Sequence, residues 1–255
     1  MGKLRVLFSD LKRMACSLKC YAAWLIGFFV LIRPLIDIWG TWQYYTPMEL
    51  LSLPLGSSDF SPYAAIFCVL PFADSFCDDY RSGYSRFITI RCGKKKYSLC
   101  RCFSVALSGG LVIGTIMAAT IVLCFLLAGQ QETMDSMSFL SASVWYKLGL
   151  VSPENVGVMC ILRIAVAFLF GALWALVGLC VSVVVPNKYV TLAAPFVLYQ
   201  FLWFVLSESP LNPVYQFRGD SNFIPSFWFL ILYQTTLIAL CSLFSITGIR
   251  KRVAT

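Results

Sequence analysis

The sequence predicts an all-α, polytopic membrane protein. It has six transmembrane helices, an N-terminal amphipathic helix at the interface, and both termini in the cytoplasm. Three observations carry this fold class. First, the 255 residues are 59% hydrophobic and only 13% charged, with a mean hydropathy of +0.79. A soluble domain carries about 25% charged residues, so this chain cannot coat a soluble core with a polar shell. Second, the apolar residues gather into six runs close to the roughly 17–25 residues that cross a bilayer. Third, the basic residues concentrate in alternate connections between those runs.

Residues 1–20 form the interfacial helix. Leu4, Leu7, Phe8, Leu11, Ala15 and Leu18 share one helical stripe, and Lys3, Arg5, Asp10, Lys12 and Arg13 lie off it. A basic amphipathic helix of this kind lies on the inner membrane surface. A cleavable leader fits poorly, because the patterned stretch runs on to Arg33-Pro34 and not to a small-residue cleavage site.

The expected spans are residues 21–38, 60–76, 103–128, 156–185, 189–206 and 227–249. The second is the weakest, since its uninterrupted apolar part covers only residues 62–73. The fourth is long and has Arg163 near its start. Either it is one span, or residues 153–163 are an interfacial turn and the span is 164–185. Pro186-Asn187-Lys188 predicts a tight turn between the fourth and fifth spans. Residues 207–226 hold Glu208, Pro210, Pro213, Arg218 and Asp220 and read as an ordered outer loop, a lid over an exit. Residues 130–153, with Trp145 and Tyr146, form the other large outer loop.

Charge sets the orientation. Of the 20 Lys and Arg residues, Arg33, Lys147, Arg163 and Arg218 fall in or beside outer segments. The others lie in the N-terminal helix, in residues 77–102, at Lys188, and at Arg250, Lys251 and Arg252, which is a strong positive-inside bias. Trp39, Trp42, Tyr44, Tyr45, Trp145 and Tyr146 form an aromatic belt on the opposite side.

The composition also excludes chemistry. The chain has no histidine, which removes the commonest general base and metal ligand and every Ser-His or Cys-His nucleophile. Its 11 cysteines include no C-x-x-C pair and read as small buried hydrophobes and reduced thiols, so no metal site is expected. No G-x-x-x-x-G-K-[ST] occurs, so the chain binds no nucleotide of its own by that motif. No catalytic residue is assigned. A Ser-Lys hydrolase would need an intramembrane lysine, and none is evident. Nothing points to nucleic acid; the basic charge belongs to topology and to inner-leaflet lipid.

Residues 77–102 form a basic cytoplasmic segment studded with aromatics. Taken as a helix over residues 79–91, it aligns Tyr80, Tyr84, Phe87, Ile88 and Arg91 on one stripe. Asp78 and Asp79 sit at its start, where carboxylates suit the helix dipole. Cys92-Gly93 ends it, and Lys94, Lys95 and Lys96 lead back to the membrane. A loop held against anionic lipid accounts for the lysines. A protein groove accounts for the aromatic stripe and the acidic start.

These residues carry a resemblance. An acidic pair (Asp78, Asp79), a glycine (Gly83), a hydrophobic stretch (Phe87, Ile88), a basic corner (Lys94 to Lys96) and a basic residue opening the third span (Arg101) follow one another in order. The pattern resembles that of the permease subunit of a type-2 ATP-binding-cassette (ABC-2) transporter. At residue level the likeness covers about residues 71–112, and in topology the whole chain. It implies that residues 77–102 are a coupling segment. Asp78, Asp79, Tyr80, Arg81, Gly83, Tyr84, Phe87, Ile88 and Arg91 would then meet a separate ABC ATPase subunit that carries ATP and Mg. It also implies a second permease copy or a similar permease as partner, and export of an amphipathic antimicrobial peptide, drug or lipid-like molecule by alternating access across the plasma membrane. The reading from another class is a membrane anchor or immunity protein that binds a partner or peptide and transports nothing.

Three further sets complete the expectations. Gly110 and Gly114, with Gly171 and Gly178, allow close helix approach, either within the subunit or at a dimer seam. Arg33 and Asp37, one helical turn apart near the outer end of the first span, either touch substrate or neutralise each other at the interface. Asp74 either pairs with Arg101 or another basic residue, or simply ends a helix at the interface.

Overall fold

A computed structural model of the chain describes residues 3–58, 60–129, 156–218 and 223–253. Among them the chain is helical, with no strand. The outer loop at residues 130–153, with Trp145, Tyr146 and Lys147, lies outside the described residues, as does Asp220.

Helix α1 (Lys3–Ala15) leads through Cys16 and Ser17 into α2 (Leu18–Asp37). Then come α3 (Pro47–Ser57), α4 (Phe60–Val69), α5 (Ser75–Arg81), α6 (Tyr84–Cys92), α7 (Lys94–Leu127), α8 (Val156–Val184), α9 (Lys188–Val205), α10 (Pro213–Arg218) and α11 (Phe227–Arg252). Five of these, α2, α7, α8, α9 and α11, are long and apolar enough to cross a membrane.

The second apolar run is not one helix. It divides into α4, a turn over residues 70–74, and α5. Pro71 has no N–H to donate to the helix ladder, so the run is interrupted there. The fourth run differs in the other sense. α8 continues unbroken through Arg163, so residues 156–163 are helix and not an interfacial turn. α7 also starts earlier than hydropathy suggests. It takes in Lys94, Lys95 and Lys96, because helix geometry persists beyond the apolar stretch.

α3 is an addition that the span pattern does not contain. Thr46 opens it with a capping box: its Oγ1 accepts from the Glu49 N–H at 3.4 Å, while Glu49 Oε2 accepts from the Thr46 N–H at 2.8 Å. Pro47 occupies the first turn, where no donor is lost. Leu50, Leu51 and Leu55 are buried in the main core.

The body is organised around α7 and α8. They approach most closely at Gly109 and Gly171: a methyl placed on Gly109 would stand 2.6 Å from the Gly171 carbonyl oxygen and 2.9 Å from that of Cys68 on α4. Three backbones thus meet at one glycine. Gly178 faces Val69 and Ala73, and Gly110 and Gly114 both face Phe168 of α8. All four expected glycines pack inside this chain, and Gly171 makes its tightest contact with Gly109, a glycine outside the expected set.

One core cluster fills the body, with Phe60, Ile113, Ile116, Phe170, Trp174, Tyr199 and Phe217 among its buried members. Tyr199 Oη lies 2.6 Å from Ser61 Oγ and joins α9 to α4. A second cluster, including Phe76, Tyr97, Leu179 and Ile249, lies at one end, where Met14 of α1 and Val253 after α11 pack on it together. The N-terminal helix and the C-terminal end of the last helix therefore share an end of the molecule. Arg252 donates to the Val184 carbonyl there, and Arg250 Nε donates to Ser98 Oγ at 3.4 Å. This is the basic end.

Candidate functional site

The basic end holds a buried network of charges drawn from α1, α5 and α7. Arg101 of α7 is fully buried, and its guanidinium is held on several sides. One Nη forms an ion pair with Asp79, and Tyr97 Oη lies 3.3 Å from that same nitrogen. The other donates to Ser75 Oγ at 3.1 Å and lies 3.6 Å from Asp10. The Phe72 and Tyr97 rings lie 5.2 and 5.5 Å from the guanidinium carbon. Asp79 also accepts both Nη groups of Arg13 on one oxygen, each at 3.2 Å. Two cations and two carboxylates thus neutralise one another. Only such compensation makes burial of these charges tolerable.

Two satellite pairs extend the network. Lys19 at the start of α2 binds Asp74 at 2.5 Å, and Lys188 at the start of α9 binds Asp78 at 2.5 Å. Asp74 therefore pairs with a base other than Arg101. Through these contacts the stretch from Asp74 to Asp79 is tied to α1, α2, α7 and α9.

The predicted single helix over residues 79–91 is two helices. α5 ends at Arg81, and α6 begins after Gly83, whose φ of +71° is one that glycine adopts without cost. Ser82 Oγ donates to the Asp78 carbonyl and closes α5. Asp78 and Asp79 consequently belong to α5 and do not cap the aromatic helix, which has no acid in its first turn. Tyr80 also stays on α5; its ring stacks 6.1 Å from Phe76, with Arg252 5.8 Å above it.

On α6 the small residues face inward. Ser85, Thr89 and Cys92 are buried, and Ile88 is partly buried against the body. Tyr84, Phe87 and Ile90 face out, Phe87 at 66% and Ile90 at 83% exposure. Arg81 and Arg91 are exposed beside them. Arg13 reaches over the Tyr84 ring at 5.8 Å, and together with Asp78, Asp79, Arg81, Ser82 and Phe87 these residues line an open groove. The predicted stripe is thus split. Ile88 turns in, Tyr84, Phe87 and Arg91 stay out, and Ile90 joins them.

On helix α1, Asp10, off the apolar stripe, is buried against Arg101, while Phe8 of the stripe is exposed. Asp10 and Met14 thus face the protein, Leu7 and Leu11 are half-buried, and Phe8, Lys12 and Arg13 are exposed.

Arg33 and Asp37 are exposed on α2. Arg33 lies about 21 Å along the helix from Lys19, at 1.5 Å per residue, so neither belongs to this site. Among the described residues no three His, Cys, Asp or Glu side chains gather as metal ligands. Cys77, next to the network on α5, shares a 3.4 Å contact with Thr191 Oγ1, and burial pushes its thiol pKa up. Asp10, Arg13, Lys19 and Tyr97 are not legible as site residues in the sequence. Asp10, Arg13 and Lys19 meet Arg101, Asp79 and Asp74, which lie far away in sequence, and Tyr97, one turn before Arg101, carries no charge to mark it.

No protein-family model, curated protein or solved structure matches the chain.

Proposed function

We propose that the chain is the membrane-spanning subunit of an ATP-driven exporter of the ABC-2 class. In this reading it crosses the plasma membrane six times, with residues 60–76, made of α4 and the turn into α5, as an interrupted second crossing. The basic end and both termini face the cytoplasm, as the positive-inside bias requires. A separate ATPase subunit, carrying ATP and Mg, docks on α5 and α6. A second copy or a similar permease completes the transport path for an amphipathic peptide, drug or lipid-like molecule.

One observation carries this reading. α6 turns Tyr84, Phe87 and Ile90 outward on a short helix that is itself too short to span a bilayer, while its neighbour α5 is locked by Asp79 to α7 and α1. Exposed aromatic and aliphatic side chains rimmed by arginines suit a protein partner. The locked carboxylate suits force transmission. A push on α5 and α6 passes through Asp79 to Arg101 on α7 and to Arg13 on α1, with little slack in between.

The test is purification of the tagged chain in mild detergent after co-expression with its neighbouring genes. An ATPase subunit should co-purify stoichiometrically. Phe87→Asp with Ile90→Asp should release it and leave the melting temperature of the permease unchanged, because both side chains are exposed. Absence of an ATPase from both preparations would sink the transporter reading and favour a membrane protein that only anchors or binds.

A further inference from the structure

A second site lies away from the basic end, among α8, α9, α10 and α11. It is a cavity of about 350 Å³. Leu173 and Trp174 of α8, Leu198 of α9, Gln216 of α10 and Gln234 of α11 are among the residues that line it. The size is at the small end of the range for small-molecule sites. Leu198 and Leu211 of its lining are 40% and 37% exposed, so it opens to the outside of the body on the α9 side.

Gln234 is the unusual feature. It is 1% exposed, and neither its carbonyl oxygen nor its amide nitrogen has a hydrogen-bond partner among the described residues. Gln216 is 2% exposed, donates to the Pro210 carbonyl at 2.7 Å, and leaves its own carbonyl oxygen unpartnered. Buried polar side chains in native proteins are almost always satisfied. Inside a membrane-crossing helix an unsatisfied amide is disfavoured further, and a polar group retained there marks a binding function by default. Apart from Gln216, Gln234, Tyr233 and Cys241 the lining carries no polar side chain but Trp174. A water with its two to four partners therefore fits only the corner beside the glutamines and leaves the rest of the space to an apolar occupant.

We propose that this cavity binds a compact, uncharged, largely apolar molecule bearing an adjacent donor and acceptor, as a carboxamide does. No Lys, Arg, Asp or Glu lines the cavity, so a charged ligand would be left without a counter-ion. The free carboxamide of Gln234 offers both donors and an acceptor, so an amide satisfies it from both sides. Trp174 supplies a flat apolar wall for the rest of the ligand. The site does not depend on the transporter reading, because no residue of α5 or α6 contributes to it.

The experiment uses the purified full chain with a photoreactive amide, 4-acetamidobenzophenone, and its ester counterpart, 4-acetoxybenzophenone, which lacks the N–H. After irradiation, adducts are mapped by mass spectrometry. The amide should label cavity-lining residues about fivefold more than the ester, the scale of one good hydrogen bond. Gln234→Leu should melt no lower than the parent and should reduce amide labelling to the level of the ester. Leu173→Trp, which fills the cavity with Gln234 intact, should abolish labelling by both. Equal labelling by amide and ester with no effect of Gln234→Leu would mean an apolar void open to lipid, and would overturn the proposal. So would an absence of lining-residue adducts, labelling that survives Leu173→Trp, or a marked drop in melting temperature in Gln234→Leu. No ATPase is present, so failure here leaves the transporter reading standing, and the reverse also holds.

Discussion

Asp79 of α5 and Arg101 of α7 form an ion pair whose side chains are 2% and 0% exposed. Arg13 and Asp10, both from α1, complete the charge balance around it. Removing one member of a buried pair leaves the other uncompensated, at about 3–5 kcal/mol. Asp79→Asn should therefore lower the melting temperature by at least about 6 °C in a chain of this size. Replacing both members, Asp79→Leu with Arg101→Leu, should recover at least half of that loss. Scanning fluorescence in one detergent measures both. A melting point for Asp79→Asn indistinguishable from the parent would mean that the pair contributes nothing to the fold.

The glycines of α7 and α8 should separate sharply. A methyl on Gly171 would meet the Gly109 backbone, with the carbonyl carbon at 2.9 Å, whereas a methyl on Gly114 would find its nearest neighbour at an ordinary 3.5 Å. Gly171→Ala should destabilise by about 1–3 kcal/mol through forced backbone separation. Gly114→Ala should be neutral or gain up to about 1 kcal/mol from helix propensity. Equal melting shifts for the two would contradict the close crossing.

Tyr199→Phe tests the join between α9 and α4. The hydroxyl of Tyr199 lies 2.6 Å from that of Ser61, and both residues are buried. Deleting it strands Ser61 without its partner, which costs about 1–3 kcal/mol. Ser61→Ala in the Tyr199→Phe background should add little further loss, since the interaction is already gone. Additive losses would show that the two hydroxyls act separately.

Thiol reactivity should divide the cysteines. Cys16, between α1 and α2, is exposed, while Cys77 is buried and its thiol pKa is raised by burial. A raised pKa keeps the thiol protonated as pH rises from 7 to 8.5, so Cys77 should stay unlabelled across that window while Cys16 reacts with a membrane-impermeant maleimide. Peptide mapping distinguishes the two. In the proposed orientation Cys16 reacts in inside-out vesicles and not in intact cells.

Helix positions were legible where hydropathy alone decides them. The fourth and fifth runs, 156–185 and 189–206, match α8 (Val156–Val184) and α9 (Lys188–Val205) to within a residue. The Cys92-Gly93 stop also follows directly from glycine, which adopts a φ of +81° there. α3 is hidden in the hydropathy because it is too short to be a span, although Thr46-Pro47 and Glu49 spell its capping box. The split at Gly83 escaped because an aromatic stripe continued across it on paper. The charge network escaped for a deeper reason. Asp10, Asp79 and Arg101 are brought together by packing, and helical periodicity relates only residues a few positions apart.

The 34 residues of α7 make a rod about 51 Å long, well beyond the roughly 30 Å of bilayer hydrocarbon. Its tight crossing with α8 at Gly109 lies about 22 Å from the Lys94 end and about 27 Å from the Leu127 end. A rod pinned near its middle is a lever with the glycine contact as fulcrum. Tilting it to carry the Lys94 end sideways by about 5 Å swings the Leu127 end by about 6 Å in the opposite direction. The small side chains at the crossing thus decide more than how closely two helices approach. In the proposed membrane orientation they would fix the ratio and the sign with which a displacement at one end of α7 is reproduced at the other.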